Sequence, residues 1–331
     1  MKVLSLFDGI SCGRVALERA GILVEKYIAY EIDPYAVKIS EKNFPSIEHY
    51  GDVFEGDFTQ YKGFDLLLGG SPCTFWSSAR KDNREVTPDG IGGRLFMQYV
   101  RALRESQCRY FLYENNFSIN RDIKDFISNE LGVQPIVIDS ALVSSQSRKR
   151  CYWTNIPNVT QPEDKGIMLK DILLDDGIPI KTVKGKCNTF VASYYKIGEN
   201  PFSCFCSERS RTRIALKVSS DDPRREGKRV YVVEGGECVK IIADDAEGMR
   251  LGPINLSDGE YIIRKLYPME AETLQTLPKD YTKVDGVSDT NRYKGVGNGW
   301  TVDVIAHILK GLKEAVPEKP KVSVGGLFDL F

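Results

Sequence analysis

The sequence predicts an α/β protein: a doubly wound, mostly parallel, Rossmann-like sheet joined to a smaller β-rich domain. Three observations carry this. Apolar runs of strand length alternate with amphipathic stretches through the first half, which is the pattern of successive β-α-β units. The first run, Lys2 to Phe7, meets a Gly-rich turn, Asp8-Gly9-Ile10-Ser11-Cys12-Gly13, that opens into a helix from about Arg14 to Ala20. From Pro157 onward the texture shifts to short β-like runs separated by Gly and Asp turns.

Taken in order, the next strand is Ile28-Ala29-Tyr30 and ends at Glu31, 22 residues after Gly9. An acid at the end of the second strand is where such folds hold a ribose hydroxyl pair. The turn lacks a full G-x-G-x-x-G, so the nucleotide signal rests on turn and acid together. Two further acids, Asp52 in Gly51-Asp52-Val53 and Asp57 in Gly56-Asp57-Phe58, precede a buried run, Leu66-Leu67-Leu68. Gly69, Gly70 and Pro72 break that run and place Cys73 on a rigid loop at its carboxyl end, the edge where open α/β sheets bind ligands. Helices are expected at Leu95–Ser106 and Asp122–Leu131, and strands at Pro135–Asp139 and Cys151–Thr154. Between them, Arg109-Tyr110-Phe111-Leu112-Tyr113-Glu114-Asn115-Asn116 is an apolar strand ending in a carboxyl group. In Ser145–Trp153, residues Gln146, Arg148 and Arg150 alternate, which sends all three to one face of an extended chain.

The second half predicts strands over Arg229–Glu234, Val239–Ile242 and Tyr261–Ile263, with a hairpin signal at Gly235-Gly236. Helical pattern returns at Met269–Gln275. A block expected as a loop, Tyr293-Lys294-Gly295-Val296-Gly297-Asn298-Gly299-Trp300-Thr301, then leads into one amphipathic helix over Val302–Lys313. The expected division is 1–156, 157–262, a return over 263–316, and a flexible tail over 317–331. No metal site is expected: Cys204 and Cys206 form one C-x-C, with Cys187 and Cys238 as lone partners, and His49 and His307 lie elsewhere.

Charged residues are 27% and hydrophobic residues 42% of the 331, the balance of an ordinary soluble globular chain. No apolar run approaches the ~20 residues a membrane span needs, and the start MKVLSLFDG is too short for a signal peptide. Eight irregularly spaced cysteines point to a reducing cytoplasm. Net charge is −1, but Arg209, Arg211, Arg213, Lys217, Arg224, Arg225, Lys228 and Arg229 cluster in the second domain, where they would suit phosphate contacts.

With the Pro72-Cys73 loop, the Glu114-Asn115 strand end, the Gln146-x-Arg148-x-Arg150 segment and the late Gly297-Asn298 block in one order, the chain resembles the DNA (cytosine-5)-methyltransferases. The resemblance covers roughly 1–156 and 264–314. Gly92-Gly93-Arg94-Leu95-Phe96 is similar to the animal de novo branch and to many phage enzymes. It implies a methyltransferase sheet with a target-recognition domain, acting on double-stranded DNA as a monomer with S-adenosyl-L-methionine as methyl donor. By the same likeness Cys73 would be the nucleophile and Glu114 the group on ring N3, with Arg148 and Arg150 as nearby positive charge. Phe7, Asp8, Gly9, Gly13, Glu31, Ile32, Asp52, Val53, Gly70, Pro72, Asn298 and Trp300 would line the methyl-donor site. Ser77, Gln146, Arg209, Arg211, Arg213, Arg224 and Arg225 would meet DNA.

Thr74, Asn116 and Gly299-Trp300 depart from the family's usual Gln, Val and Ser-Val; none removes a reacting group. A tRNA methyltransferase and a catalytically silent regulatory module are the alternatives, the first because one branch modifies RNA, the second opposed by intact Cys73, Glu114 and Arg150. In the tail, Leu327-Phe328-Asp329-Leu330-Phe331 partly resembles peptides that dock on the bacterial sliding clamp, an expectation of a partner through 327–331.

Overall fold

The computed structural model describes residues 1–76, 84–196, 211–242 and 255–315. The large sheet has the order β3-β2-β1-β4-β5-β7-β6. Its strands are β1 (Lys2–Leu6), β2 (Lys26–Tyr30), β3 (Glu48–Tyr50), β4 (Leu66–Gly69), β5 (Tyr110–Asn116), β6 (Ile136–Asp139) and β7 (Lys149–Thr154). All pairs are parallel except those of β7, which runs antiparallel to both β5 and β6. The chain builds outward from β1 to β2 and β3, then crosses back to β4 and β5. The carboxyl ends of β1 and β4 therefore flank the point where strand order reverses, the crevice in which such sheets bind ligands.

Period-two alternation divides the sheet's side chains between two faces. Val3, Ala29, Leu66 and Leu68 pack with α1 (Cys12–Arg19) and α7 (Val302–Leu309). Leu4, Leu6, Ile28 and Leu67 pack on the other face with α3 (Ile91–Ser106) and α4 (Arg121–Leu131). Helix α2 (Pro34–Asn43) links β2 to β3, with Asp33 accepting from Tyr35 N at its start. The second sheet is antiparallel, in the order β11-β10-β12-β9-β8, from β8 (Ile178–Ile180), β9 (Arg213–Lys217), β10 (Val230–Glu234), β11 (Glu237–Ile242) and β12 (Gly259–Arg264). Gly235 and Gly236 both take positive φ (59° and 78°) between β10 and β11, as the favoured two-residue hairpin turn requires.

Three expectations are corrected. Helix α3 begins at Ile91, not Leu95, and takes in Gly92 and Gly93. A Cβ on Gly92 would lie 2.4 Å from Trp76 Nε1 and one on Gly93 only 1.6 Å from the Pro88 carbonyl, so the glycines permit close packing inside a helix whose first N–H groups donate to Glu85. The Gly-Asn block is likewise helical: α6 spans Asp289–Asn298. A Cβ on Gly297 would sit 2.2 Å from the Ala192 nitrogen, and one on Gly295 2.9 Å from Ile10. Finally, the helix expected over Val302–Lys313 divides into α7 and α8 (Gly311–Ala315) at Lys310. Gly311 is a poor helix former, and its Cβ would meet the Pro157 carbonyl at 2.2 Å. Among the described residues no helix is long and apolar enough to cross a membrane.

Where the second sheet rejoins the first, Arg264 at the end of β12 donates to both oxygens of Asp175 (2.9 and 2.7 Å) and both of Glu270 (2.8 Å each). Glu270 opens α5 (Pro268–Leu274), accepts from Tyr267 N, and is fully buried. Removing the guanidinium leaves that carboxylate buried without its counter-charge. Arg264→Met is therefore expected to destabilise the chain by about 3–5 kcal/mol, the usual cost of breaking a buried pair from one side. Denaturant unfolding monitored by tryptophan fluorescence checks this; an unchanged midpoint would refute the brace.

Candidate active site

The loop after β4 and the end of β5 are tied together by side chains. The Ser71 hydroxyl lies 2.6 Å from the Tyr113 hydroxyl, and Asn115 Nδ2 donates to Tyr113 Oη (3.2 Å) and to the Ser71 carbonyl (3.4 Å). The turn Cys73–Phe75 follows at once. The latch therefore fixes the backbone that leads into Cys73 against the strand that carries Glu114. Gly70 is required between them, because a Cβ there would meet the Glu114 carbonyl at 3.0 Å and Trp300 Nε1 at 3.3 Å.

Glu114 is gripped from two sides. Arg150 Nε lies 2.9 Å from Oε1, and Trp300 Nε1 donates to Oε2 at 2.9 Å. The antiparallel ladder sets Asn116 opposite Arg150, which brings that guanidinium beside the carboxylate two residues back. Both side chains are largely buried, 13% exposed for Glu114 and 11% for Arg150. Charge-assisted bonds of this kind are roughly twice as strong as neutral ones and fix orientation. The group faces a cleft of about 1190 Å³, whose walls include Phe7, Asp8, Gly9, Glu31, Gly70 and Pro72 on one side. Asn298 and Trp300 close that end, while Asn188, Thr189, Ser193 and Arg211 face the other from the second half of the chain.

The β1 end of the cleft is a tight turn. Phe7, Gly9 and Ser11 all have φ near +60° (57°, 60° and 59°). Asp8 holds the turn by accepting from Ser5, Ser11 and Tyr27 hydroxyls. Glu31 accepts from the backbone N–H groups of Gly9 (2.8 Å), Ile32 (2.9 Å) and Asp33 (2.8 Å). Burial raises Glu31 above the usual carboxylate value, and the Asp33 and Gly9 N–H groups oppose that shift. Space above Gly9 is open, with nothing within 4 Å of an added Cβ. Cys12 also touches this end, but burial pushes its thiol up to about 12, so it is an inert neighbour.

Not every expected residue belongs here. Alternation does turn Gln146, Arg148 and Arg150 inward and Lys149 outward. Yet Arg148 is buried, and its Nη atoms donate to the carbonyls of Phe190 (2.5 Å), Gly297 (3.2 Å) and Gly299 (3.1 Å). It clamps the 188–193 segment to the end of α6 while still lining the cleft. Gln146 is wholly buried, bonding the Leu274 carbonyl (2.7 Å) and Gln275 Oε1 (2.9 Å) while accepting from Phe190 N (3.1 Å). Arg213 is 3% exposed and donates to the Arg211 carbonyl. Arg224 is paired with Asp222 and Asp176, and Arg225 with Glu260. Arg211 does line the cleft, and burial lowers its pKa from that of a free guanidinium.

On the donor side, Ile32 is 74% exposed and does not line the cleft. Asp52 accepts from Phe54 N in its own turn, and Val53 is packed in the core. Gly13 lies inside α1 beneath Leu68. The Cys73 side chain, Ser77, Arg209 and the tail 317–331 lie outside the described residues. Sequence reasoning missed the Tyr113–Asn115 latch and the bond from Trp300 to Glu114, which joins residues 186 apart. Trp300, standing where the family usually has valine, was the available signal.

Comparison with known proteins agrees with this architecture. Residues 1–314 match the model of the C-5 cytosine-specific DNA methylases. The orphan methyltransferase M.Rho11sI of Bacillus phage rho11s is 37% identical over 187 residues, covering 51% of this chain but only 36% of that protein, so the match spans about a third of the phage relative. The Type II methyltransferase M1.ScrFI of Lactococcus lactis subsp. cremoris is 26% identical over 97% of this chain and 80% of its own. Among solved structures, the Entamoeba histolytica methyltransferase EhMeth superposes with a TM-score of 0.65 over 96% of this chain and 99% of its own at 18% identity, a likeness of fold. With strand order, cleft and family match in agreement, the chain belongs to the C-5 cytosine-specific DNA methylase family.

Proposed function

We propose that the chain transfers a methyl group from S-adenosylmethionine to carbon 5 of a cytosine flipped out of double-stranded DNA, with Cys73 as nucleophile. The observation that carries this reading is the Glu114 carboxylate held between Arg150 and Trp300 on the wall of the cleft, on the strand between the two residues that pin the Ser71 loop. The β1 end fits the donor: open space over Gly9, a carboxylate at Glu31 already oriented by backbone N–H groups, and an indole wall at Trp300. When bound, S-adenosylmethionine supplies the methyl group on a positively charged sulfur.

The chain's own work is to make cytosine carbon 5 nucleophilic. The Cys73 thiolate adds to carbon 6 and ring N3 takes up a proton, which leaves carbon 5 enamine-like. After carbon 5 takes the methyl group and the demethylated donor, S-adenosylhomocysteine, is released, carbon 5 loses its proton to a base, the C6–S bond breaks to expel the thiolate, and N3 gives its proton back, restoring the neutral ring. A free thiol has a pKa of about 8.5, so nearby positive charge is needed to raise the thiolate fraction; Arg150 is the guanidinium on this wall. Glu114 meets N3 and the exocyclic amine. In this reading the Glu114 carboxyl passes a proton to N3 as the thiolate adds to carbon 6. Flipping the base costs roughly a few kcal/mol, which phosphate contacts along the cleft offset.

Three outcomes are expected. Duplex carrying 5-fluorocytosine should form a covalent adduct that Cys73→Ser lacks, because fluorine cannot leave carbon 5 as a cation; absence of adduct under turnover conditions refutes the mechanism. Glu114→Gln should keep its fold and lose about 10²–10⁴ of the rate, the usual worth of a positioned acid–base group; a near-normal rate moves that role elsewhere. Trp300→Phe keeps the aromatic wall but removes one donor, so single-turnover methylation should slow roughly tenfold while donor affinity, measured by calorimetry, changes little. Equal loss in both would make Trp300 a donor-site wall and nothing more.

A further inference from the structure

The arginines expected to meet DNA from the second domain are largely committed elsewhere, which raises the question of where the surplus positive charge at the cleft lies. It lies on the opposite rim. Just past the β5 ladder, Phe117 is 43% exposed and lines the mouth of the cleft beside Ser118 and Lys149. Two ammonium groups sit against its ring: Lys124 from α4 at 4.6 Å from the centroid, and Lys149 from the start of β7 at 5.9 Å. These cations come from two different elements and converge on one exposed aromatic. Among the described residues neither lysine is ion-paired, and Asp125, the neighbouring acid on α4, is engaged by Arg121 at 3.7 Å. The shelf is also tied to the turn that carries Cys73: Arg84 donates to the Ser118 carbonyl (2.7 Å) and to the Trp76 carbonyl (3.0 Å).

We propose that Phe117, Lys124 and Lys149 form a backbone shelf that takes the sugar-phosphate segment of the DNA strand bearing the target cytosine. The proposal rests on the reading of the preceding subsection. A base that enters the Glu114 pocket brings its own phosphodiester to the rim, because the two are joined covalently. The part of the ring left exposed offers an apolar seat for a deoxyribose, and the two lysines over it hold their ammonium groups within reach of the flanking phosphates. Cation–π contact holds those side chains near their working positions, which lowers the ordering cost on binding. Arg211 lines the same cleft.

The test is the salt dependence of binding to a duplex that the wild-type chain methylates, read by fluorescence anisotropy between low and physiological salt. Each lost phosphate contact lowers the slope of log affinity against log salt by about 0.9. Lys124→Gln/Lys149→Gln should therefore lose nearly two units of slope and raise the KM for DNA, with an unchanged thermal midpoint as the check on folding. Arg121→Gln, on the same helix but paired with Asp125, should keep the wild-type slope. If the double variant retains the wild-type slope while the wild type methylates DNA, the shelf alone is wrong. If the wild type neither binds nor methylates duplex DNA, the functional reading fails and the shelf with it.

Discussion

The structure depends on one carboxylate being held still at a junction of three distant segments. Glu114 comes from β5, Arg150 from the antiparallel β7, and Trp300 from the turn between α6 and α7. The Arg150 bond is set by the pairing of β5 with β7, whereas the Trp300 bond forms only once the late helices have returned to the sheet. That return is itself secured inside the core. Arg148 gathers the carbonyls of Gly297 and Gly299, and Gln275 donates to the carbonyls of Val296 (3.0 Å) and Gly299 (3.2 Å). Ser140 bonds Thr301, which in turn donates to Gln275. Buried polar groups like these cost free energy unless fully satisfied, and here they are spent on fixing the register of a single turn.

The glycines serve the same end from the steric side. Gly70, Gly295 and Gly297 each stand where a Cβ would collide with the site or its support. Their role is to let backbones approach, which is why two of them tolerate a helical conformation despite its propensity cost. The outcome is a wall in which Glu114 and Arg150 sit on strands and Trp300 just past a helix end, the placement that best preserves geometry.

Much of this was legible in the sequence, and the limits are physical. The parallel sheet followed from strand-length apolar runs and the Gly-rich turn, and the inward alternation of Gln146, Arg148 and Arg150 followed from period two. Alternation says which face a side chain takes, not what it meets there. Arg148 and Gln146 went inward to carbonyls of segments 42 and 128 or more residues away, partners that no local pattern reveals. Charge counting misled for a related reason: Arg224 and Arg225 are balanced by Asp222 and Glu260, and the latter is distant in sequence. The Gly-Asn block read as a loop because glycine more often marks a turn than a tight helix contact. The shelf at Phe117 was missed because its lysines come from separate elements.

The most direct test of the account is product identity. The full chain is incubated with S-adenosylmethionine labelled in its methyl group and either duplex DNA or tRNA, and the nucleic acid is then digested to nucleosides and the labelled base identified. The account predicts label in 5-methylcytosine from DNA and none from tRNA. Label only in tRNA would keep the chemistry and overturn the substrate; label in neither would contradict the reading of this cleft as a catalytic site.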